Sequence, residues 1–559
     1  MDILSLSHLP LIVIVIAFIL SYILKRAYPS PYPGIPYHAA AARKFWGDSS
    51  GLLEAVKKTQ DPAKFIFQQS RKLNSPVIQL FLAPFSDPTI VIDDVREVKD
   101  ILSNRTHEFD RAPRTQDAYR SLLPHCSLVK LTGPAFKTQR RFWEGVTGMP
   151  FLRRIAAPKV YRCALELIDL LRAQAKLAGG RPFYCFDDFD VAAFELIWEL
   201  VFGTNVNAIS NARTKVLCAI SSMVQPPSLD SPARIPVIQK PDMCEAVSFF
   251  IGTVAKSLKS VFPTWHLWYL RQQPVYKRKL AFKNSTINEL IENTRSRLAG
   301  LSESQLIELE ESSALVTGPV NVPFPASVQA EIHDELFMIL VAGHETKAVL
   351  LSWSIKFLIA NPEKQEKLRK ALVDALPRGP NGEQPSVKDI LGTSIPYLEA
   401  CMEESMRAAN TSPRFVRRTT TNTQVLGYSI PKGVTVFLNP YVGTQPLDIP
   451  EHLRSETSRN SKDSFESYWD VNGMDDFQPE RWLADDGSFN PRRFPRLAFS
   501  AGPRMCYGRN LALTEFRVNL VLLILNFKFE SLPNGLDSME SQQRLFRMPR
   551  QCYVRLRPL

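Results

Sequence analysis

From about residue 40 onward the apolar positions follow two rhythms. Between about 135 and 375 they recur every three to four residues, the spacing of one helix face, which predicts a mostly helical middle. Residues 41–105 mix helical spacing with short β-prone runs, Val77-Ile-Gln-Leu-Phe and Thr89-Ile-Val-Ile. The stretch 416–440 returns to short strands around the turn Ile430-Pro431-Lys432-Gly433, and the end of the chain, from Gln551, alternates like a strand. One long helical pattern runs from about Ser327 to Ala360 and is stopped by Asn361-Pro362. At ~1.5 Å per residue it would reach ~50 Å, enough to cross a large domain. A second, Asn510 to Phe527, is apolar nearly all round, the mark of a buried helix. There is no internal repeat and no long Gly/Ser linker, so residues 41–559 read as one mainly α domain with small β-sheets. The polar stretch from about Asp448 to Ser467 reads as an inserted, solvated surface loop.

The N-terminus has a different character. Leu9 to Leu24 is a nearly unbroken apolar run, and about 20 such residues cross a bilayer core. Lys25 and Arg26 follow, which favours a cytosolic location for everything downstream. A cleaved signal peptide would need a basic start and a small-x-small site, and neither is present. Residues 1–26 are therefore expected to form a single transmembrane helix. Residues 27–40, with Pro29, Pro31, Pro33 and Pro36, form a stiff, extended tether. The sequons at Asn104, Asn284 and Asn410 would then stay unmodified on the cytosolic side.

Composition narrows the partners. The 559 residues are 45% apolar and 22% charged, which supports a large core. Net charge is +12, from 68 basic and 56 acidic residues. No Lys/Arg run exceeds three and no recognition-helix pattern occurs, which argues against nucleic acid and leaves an anionic membrane or an acidic protein partner. The eight cysteines are widely spaced with no C-x-x-C pair, unlike a disulfide framework or structural zinc site, and fit a reducing compartment.

One of these cysteines carries the chemistry. Residues 499–512 read Phe-Ser-Ala-Gly-Pro-Arg-Met-Cys-Tyr-Gly-Arg-Asn-Leu-Ala, delivering Cys506 just before the buried helix. A thiolate is favoured near a helix N-terminus and beside a cation. Gly502 and Gly508 would let the backbone fold tightly and approach a flat ligand, Arg504 can pair with a carboxylate, and Phe499 can cover the sulfur. An inert buried cysteine would need none of this. Phe499, Gly502, Arg504, Cys506 and Gly508 together at fixed spacing have a chance on the order of 10⁻⁴ in a chain of this length.

The loop resembles the haem-binding signature of the cytochromes P450, F-x-x-G-x-R-x-C-x-G, with Ala512 matching a further small residue. Three other segments extend the resemblance in order along the chain. Ala342-Gly343-His344-Glu345-Thr346, inside the long helical pattern, resembles the oxygen-activating A-G-x-[DE]-T motif, although Lys347 follows where Ser or Thr is common. Gly343 would let the helix open into a groove there. Glu404-Ser-Met-Arg407 and Phe477-Gln-Pro-Glu-Arg481-Trp resemble the E-x-x-R and P-E-R-F elements. Phe136-Lys-Thr-Gln-Arg140 resembles the W-x-x-x-R helix with phenylalanine for tryptophan, and Pro413-Arg-Phe-Val-Arg417 resembles P-x-x-x-R, with Arg418 an alternative to Arg417.

The resemblance, covering about residues 40–559, implies the cytochrome P450 fold preceded by an N-terminal transmembrane helix. It implies haem b with Cys506 as the axial thiolate, which pushes electron density to iron and favours O–O cleavage. Thr346 would hydrogen-bond dioxygen and Glu345 help deliver protons. Arg140, Arg417 and Arg504 would neutralise the two haem propionates. Glu404, Arg407 and Arg481 would form a buried charge network beside the haem. The implied reaction is monooxygenation of a lipophilic substrate, with electrons from NADPH through a separate membrane-bound reductase, since the chain has no flavin- or nucleotide-binding loop. Pocket walls would come from about 107–127, 205–250, the helix before Ala342 and Ser412–Val416, including Phe337, Val341 and Phe415, with few charged side chains. The resemblance is to the microsomal type, at the endoplasmic reticulum membrane. The style of the motifs is fungal, which suggests terpenoid or polyketide tailoring. Two alternatives stay open: desaturation, isomerisation or dehydration at the same haem, and a non-catalytic membrane haem sensor.

Overall fold

The computed structural model describes residues 13–18, 21–22, 28–260, 262–299, 326–376, 379, 382–441, 447–460 and 473–559. Its main sheet has five strands. Val77–Leu80 pairs antiparallel with Thr89–Ile92, which runs parallel to Thr435–Leu438. The last pairs antiparallel with Phe415–Thr419, and that strand with Phe109–Arg111 at the edge. The first two strands are buried on both faces, so they read as continuous apolar runs rather than alternating ones. The exception is Gln79, fully buried in the middle of such a run. Its amide donates to the carbonyls of Tyr32 (2.9 Å) and Ile35 (2.7 Å) and accepts from the Tyr32 N–H (2.8 Å). Ile35 is buried in the same core. The proline-rich tether is thus fixed to the body from Tyr32 onward.

The helical core is built around Ala157–Ala178, Phe186–Phe202, Glu345–Ala360 and Arg509–Asn526, and holds the largest apolar cluster. Arg509–Asn526 is buried on every side over its second half, as its sequence predicts. The long helical pattern is divided: Ala326–Gly343 ends, His344 is out of register, and Glu345–Ala360 begins. The helix thus opens at Gly343 as expected, and the glycine has a second reason. A Cβ there would lie 2.8 Å from Cγ1 of Ile197, so the glycine lets this helix press onto Phe186–Phe202. Val328–Ala360 is long and apolar enough to cross a membrane, but two thirds of its apolar window (67%) is buried in protein, which makes it a core helix. The expected N-terminal span lies largely outside the described residues; Val13–Phe18 and Ser21–Tyr22 are helical and exposed.

The C-terminal strand Tyr553–Pro558 pairs with Phe527–Glu530 and, through its first residues, with Phe183–Tyr184. The expectation of a solvated loop over 448–467 is corrected for its described part. The Arg454 side chain is 8% exposed and grips Asp94 with both terminal guanidinium nitrogens (2.9 and 3.1 Å), while Ser455 and Thr457 donate to Asp100 (2.7 and 2.9 Å). These acids sit on or just before the helix Val95–Ser103, so the insertion is stitched to the body by ion pairs that its polar composition concealed.

Candidate active site

The cysteine loop is set by contacts at both ends. Gly502 has φ +66°, and a Cβ there would fall 2.2 Å from the Leu102 carbonyl oxygen. Only glycine combines that conformation with that approach. The Cys506 N–H donates to the Phe499 carbonyl (2.9 Å), closing the loop, and Gly508 begins the buried helix. Six of the eight cysteines are buried; Cys506 is exposed. Enough protein still surrounds the sulfur that desolvation raises its pKa, against the Gly508 N–H and the charges of Arg140 and Arg509. A cationic metal would supply what the thiolate lacks. Nothing lies within 4 Å of a Cβ built on Gly508, so the backbone beside the sulfur faces open space, as a flat ligand requires.

Around this loop is more positive charge than the protein neutralises. Arg504 is buried, donates to Thr132 Oγ1 (2.8 Å) and the Lys130 carbonyl (2.6 Å), and lies 3.5 Å from Asp110. Arg417 is buried with one hydrogen bond, to the Val416 carbonyl (3.0 Å). Directly across the sheet from it stands Arg111, whose Nε is buried without a partner. Burial and then repulsion by Arg111 push Arg417 and Arg504 down to about 9, with Asp110 opposing. Like charges directly opposite in a sheet destabilise it, unless an anion lies between them. This deficit of negative charge fits a group carrying two carboxylates, as haem does. Arg111 was not anticipated from the sequence; its only signal is the register that sets it against Arg417. The expectation of few charged side chains in 107–127 is corrected by Arg111.

Arg140 packs against the cysteine loop. Its guanidinium donates to the carbonyls of Pro503 (2.9 Å) and Met505 (3.2 Å), lies 4.4 Å from the Tyr507 ring, and its own carbonyl accepts from the Tyr507 hydroxyl (2.7 Å). It clamps the cysteine loop. Phe136 lies 3.8 Å from the Arg504 guanidinium, giving a cation–π contact where an indole would have given an N–H.

On the divided helix, Ala342 is exposed and Thr346 half-exposed, so this face is open. Thr346 Oγ1 donates to the Ala342 carbonyl (2.8 Å). Glu345 is buried with Oε2 unpartnered; burial and then the charge of Asp190 raise it to about 7. His344 turns inward, its Nδ1 2.7 Å from the Leu340 carbonyl. Lys347 is ion-paired with buried Glu515. Phe337 and Val341, expected as pocket walls, are packed in the helical core, Phe337 edge-on to Phe250.

The network at Glu404 has every expected member. Its carboxylate accepts from Arg407 Nε and Nη2 (both 2.8 Å), Arg481 Nε (3.1 Å), the Gln478 N–H (2.9 Å) and Trp482 Nε1 (3.0 Å). Burial alone would raise its pKa; the hydrogen bonds and charge of Arg407, with Arg481, hold it below the ordinary carboxylate range. Glu480 faces outward to Lys364, Lys367 and Tyr397, which bring it to about 2 against the effect of burial. Replacing Glu404 with Ala strands two buried cations and should cost about 3–5 kcal/mol, seen as loss of soluble, haem-loaded protein on expression. Glu480→Gln should be tolerated.

The family model "Cytochrome P450" matches residues 50–445 and 468–555, two stretches that flank the insertion. The cytochrome P450 monooxygenase GME11363 of Pestalotiopsis microspora is 29% identical over 566 aligned residues, covering 97% of both chains. The cytochrome P450 monooxygenase TRI13 of Fusarium sporotrichioides is 27% identical, covering 98% of both. A solved structure described as the cytochrome P450DA heme domain superposes with a TM-score of 0.66 at 17% identity, covering 95% of this chain and 97% of that one. Motifs, geometry and relatives agree: the chain belongs to the cytochrome P450 family of haem-thiolate monooxygenases.

Proposed function

We propose that this chain inserts one oxygen atom into a lipophilic compound of fungal secondary metabolism, at a haem b held by Cys506. The observation that carries the reading is the exposed Cys506 sulfur set among guanidiniums that the protein leaves under-neutralised. When bound, the haem supplies oxygen activation driven by two electrons and two protons. The chain's own residues do the rest. Arg111, Arg417 and Arg504 hold the two carboxylates, with Arg140 fixing the loop that presents the thiolate. Thr346 offers a hydroxyl on the open face, and Glu345 behind it holds a proton near neutrality, where a general acid works best. Among the relatives, the Penicillium rubens protein xilC and the Hps1-dma1 cluster protein of Dothistroma septosporum are likewise named as cytochrome P450 monooxygenases.

The haem reading is tested by the reduced-plus-CO difference spectrum of purified protein. A strongly red-shifted Soret band that disappears in Cys506→Ala is expected; its absence from folded, haem-supplied protein would sink the reading. Glu345 gives a pH dependence. Its acid form dominates below about pH 7 and is lost above, so NADPH consumption with a reductase should fall as pH rises through that value. In Glu345→Gln it should be slower and nearly flat; a wild-type profile in that variant rejects the role.

Electrons come in this reading from a separate membrane-bound NADPH-dependent reductase, and the chain sits at the endoplasmic reticulum with its catalytic body cytosolic. Two features support a membrane. Val13–Phe18 is an exposed apolar helix, and Phe262, Trp265, Trp268 and Tyr269 are exposed on and beside the helix Pro263–Gln272. Trp and Tyr concentrate at bilayer interfaces. The full chain should stay with microsomes after an alkaline wash, and removal of residues 1–26 should release part of it. Release of the full chain by that wash would reject the anchor.

A further inference from the structure

Three buried side chains from separate helices converge where the long helical pattern is divided. Asp190 lies on Phe186–Phe202, Cys244 in the first turn of Asp242–Lys259, and His344 between Ala326–Gly343 and Glu345–Ala360. Their ligating atoms lie within 4.8 Å of one another. Each residue is at most 3% exposed, so the group is enclosed by protein. The three positions share no zinc spacing along the chain, and only the fold brings them together.

His344 and Asp190 face each other as two acceptors. His344 Nδ1 lies 2.7 Å from the Leu340 carbonyl, which can only accept, so Nδ1 carries the ring proton. Nε2 keeps its lone pair and stands 3.7 Å from Asp190 Oδ1. That oxygen is buried without a hydrogen-bond partner. A protonated imidazole would close on the carboxylate to about 2.7–2.9 Å. The ring is steadied by Phe194, edge-on at 5.7 Å. Lys240 does not fill the gap: its ammonium sits on the other oxygen, Oδ2 (2.8 Å), and on Asp187 (2.9 Å).

A cation between the two acceptors satisfies both. An imidazole nitrogen, a carboxylate oxygen and a cysteine sulfur are the ligand types of zinc, which holds them tetrahedrally at ~2.0–2.3 Å. Two ligands on one such ion stand roughly 3.3–3.7 Å apart. The 3.7 Å between His344 and Asp190 needs little adjustment to meet that. The surrounding contacts also suit a metal. A carbonyl on the far ring nitrogen fixes the tautomer of a ligating histidine, as Leu340 does here, and Lys240 on the far oxygen orients Asp190 in the same way. Cys244, in the first turn of its helix, has the helix N-terminus to favour its thiolate. The charges close. A divalent ion balances the Asp190 carboxylate and the Cys244 thiolate, whose proton is released on binding, and Lys240 balances Asp187.

We propose that Asp190, Cys244 and His344 bind one zinc ion, with water at the fourth corner. The ion ties three helices together and holds His344 out of helical register beside Glu345 and Thr346. The site uses none of the residues assigned above to haem or to oxygen. Its role is structural.

The test is the zinc content, by elemental mass spectrometry, of the haem-loaded full chain in detergent, supplied with zinc sulfate and then desalted. About one zinc per chain is expected, falling at least about ten-fold in Cys244→Ala and in His344→Gln, with folding followed by helix content. Should either variant fail to fold, the wild-type chain decides. Stripping the zinc with phenanthroline should lower the thermal midpoint by about 5 °C, and zinc but not magnesium should restore it. A wild-type chain that holds no zinc after supply overturns the proposal. So does zinc that persists in both folded variants, which places it in the porphyrin or on the surface, and so does a midpoint unmoved when the zinc is gone. The CO spectrum reads the haem separately. A missing band with the zinc intact would reject the haem-thiolate reading and leave the metal site standing.

Discussion

A carboxylate with no exposed surface stays ionised only where donors surround it, and Glu404 has five, from two parts of the chain. Arg407 lies on its own helix; Gln478, Arg481 and Trp482 lie in the irregular segment before the cysteine loop. That segment has little regular hydrogen bonding of its own, so its path is set by this one charge and by the apolar contacts of Trp482 with Phe494. Separation of the two parts would strand two guanidiniums in the interior. The loop that follows starts from a fixed point and is fixed again where Gly502 meets Leu102. Between those two points the position of Cys506 is largely determined before any ligand arrives.

Positive charge is the second organising quantity. The net +12 is not spread evenly. Arg111 faces Arg417 across one edge of the main sheet, with Arg504 beside them and Asp110 shared. Such an arrangement is unfavourable for the bare protein and favourable once a double anion is bound. The fold is thereby coupled to its cofactor, since the anion relieves repulsion that the strand pairing imposes.

How much of this the sequence reveals depends on the range of the interaction. The cysteine loop and the E-x-x-R pair are local, and their residue types at fixed spacing were enough to identify them. The break at His344 was half-legible. Gly343 marks the place, but the reason, contact with Ile197 on another helix, is invisible along one chain. The W-x-x-x-R resemblance marks Arg140, but not that its guanidinium also meets the carbonyls of Pro503 and Met505. Arg111 carries no motif at all; it matters because of the strand it faces. The polar run around Arg454 looked solvated because its partners, Asp94 and Asp100, lie some 350 residues upstream. Composition reports which groups want partners, and only the fold reports whether they find them.

The Gln79 side chain has a consequence for where the chain can be cut. Its amide sits inside a strand buried on both faces and is satisfied by the backbone of Tyr32 and Ile35. Truncation within the hydrophobic segment leaves these bonds in place. Truncation a dozen residues further on, at the apparent end of the proline tether, would leave a polar group facing an empty slot and remove Ile35 from the core beneath it. The leading edge of the catalytic body is therefore written by a glutamine some forty-five residues downstream, and a shortened chain keeps its architecture only if that glutamine keeps its strap.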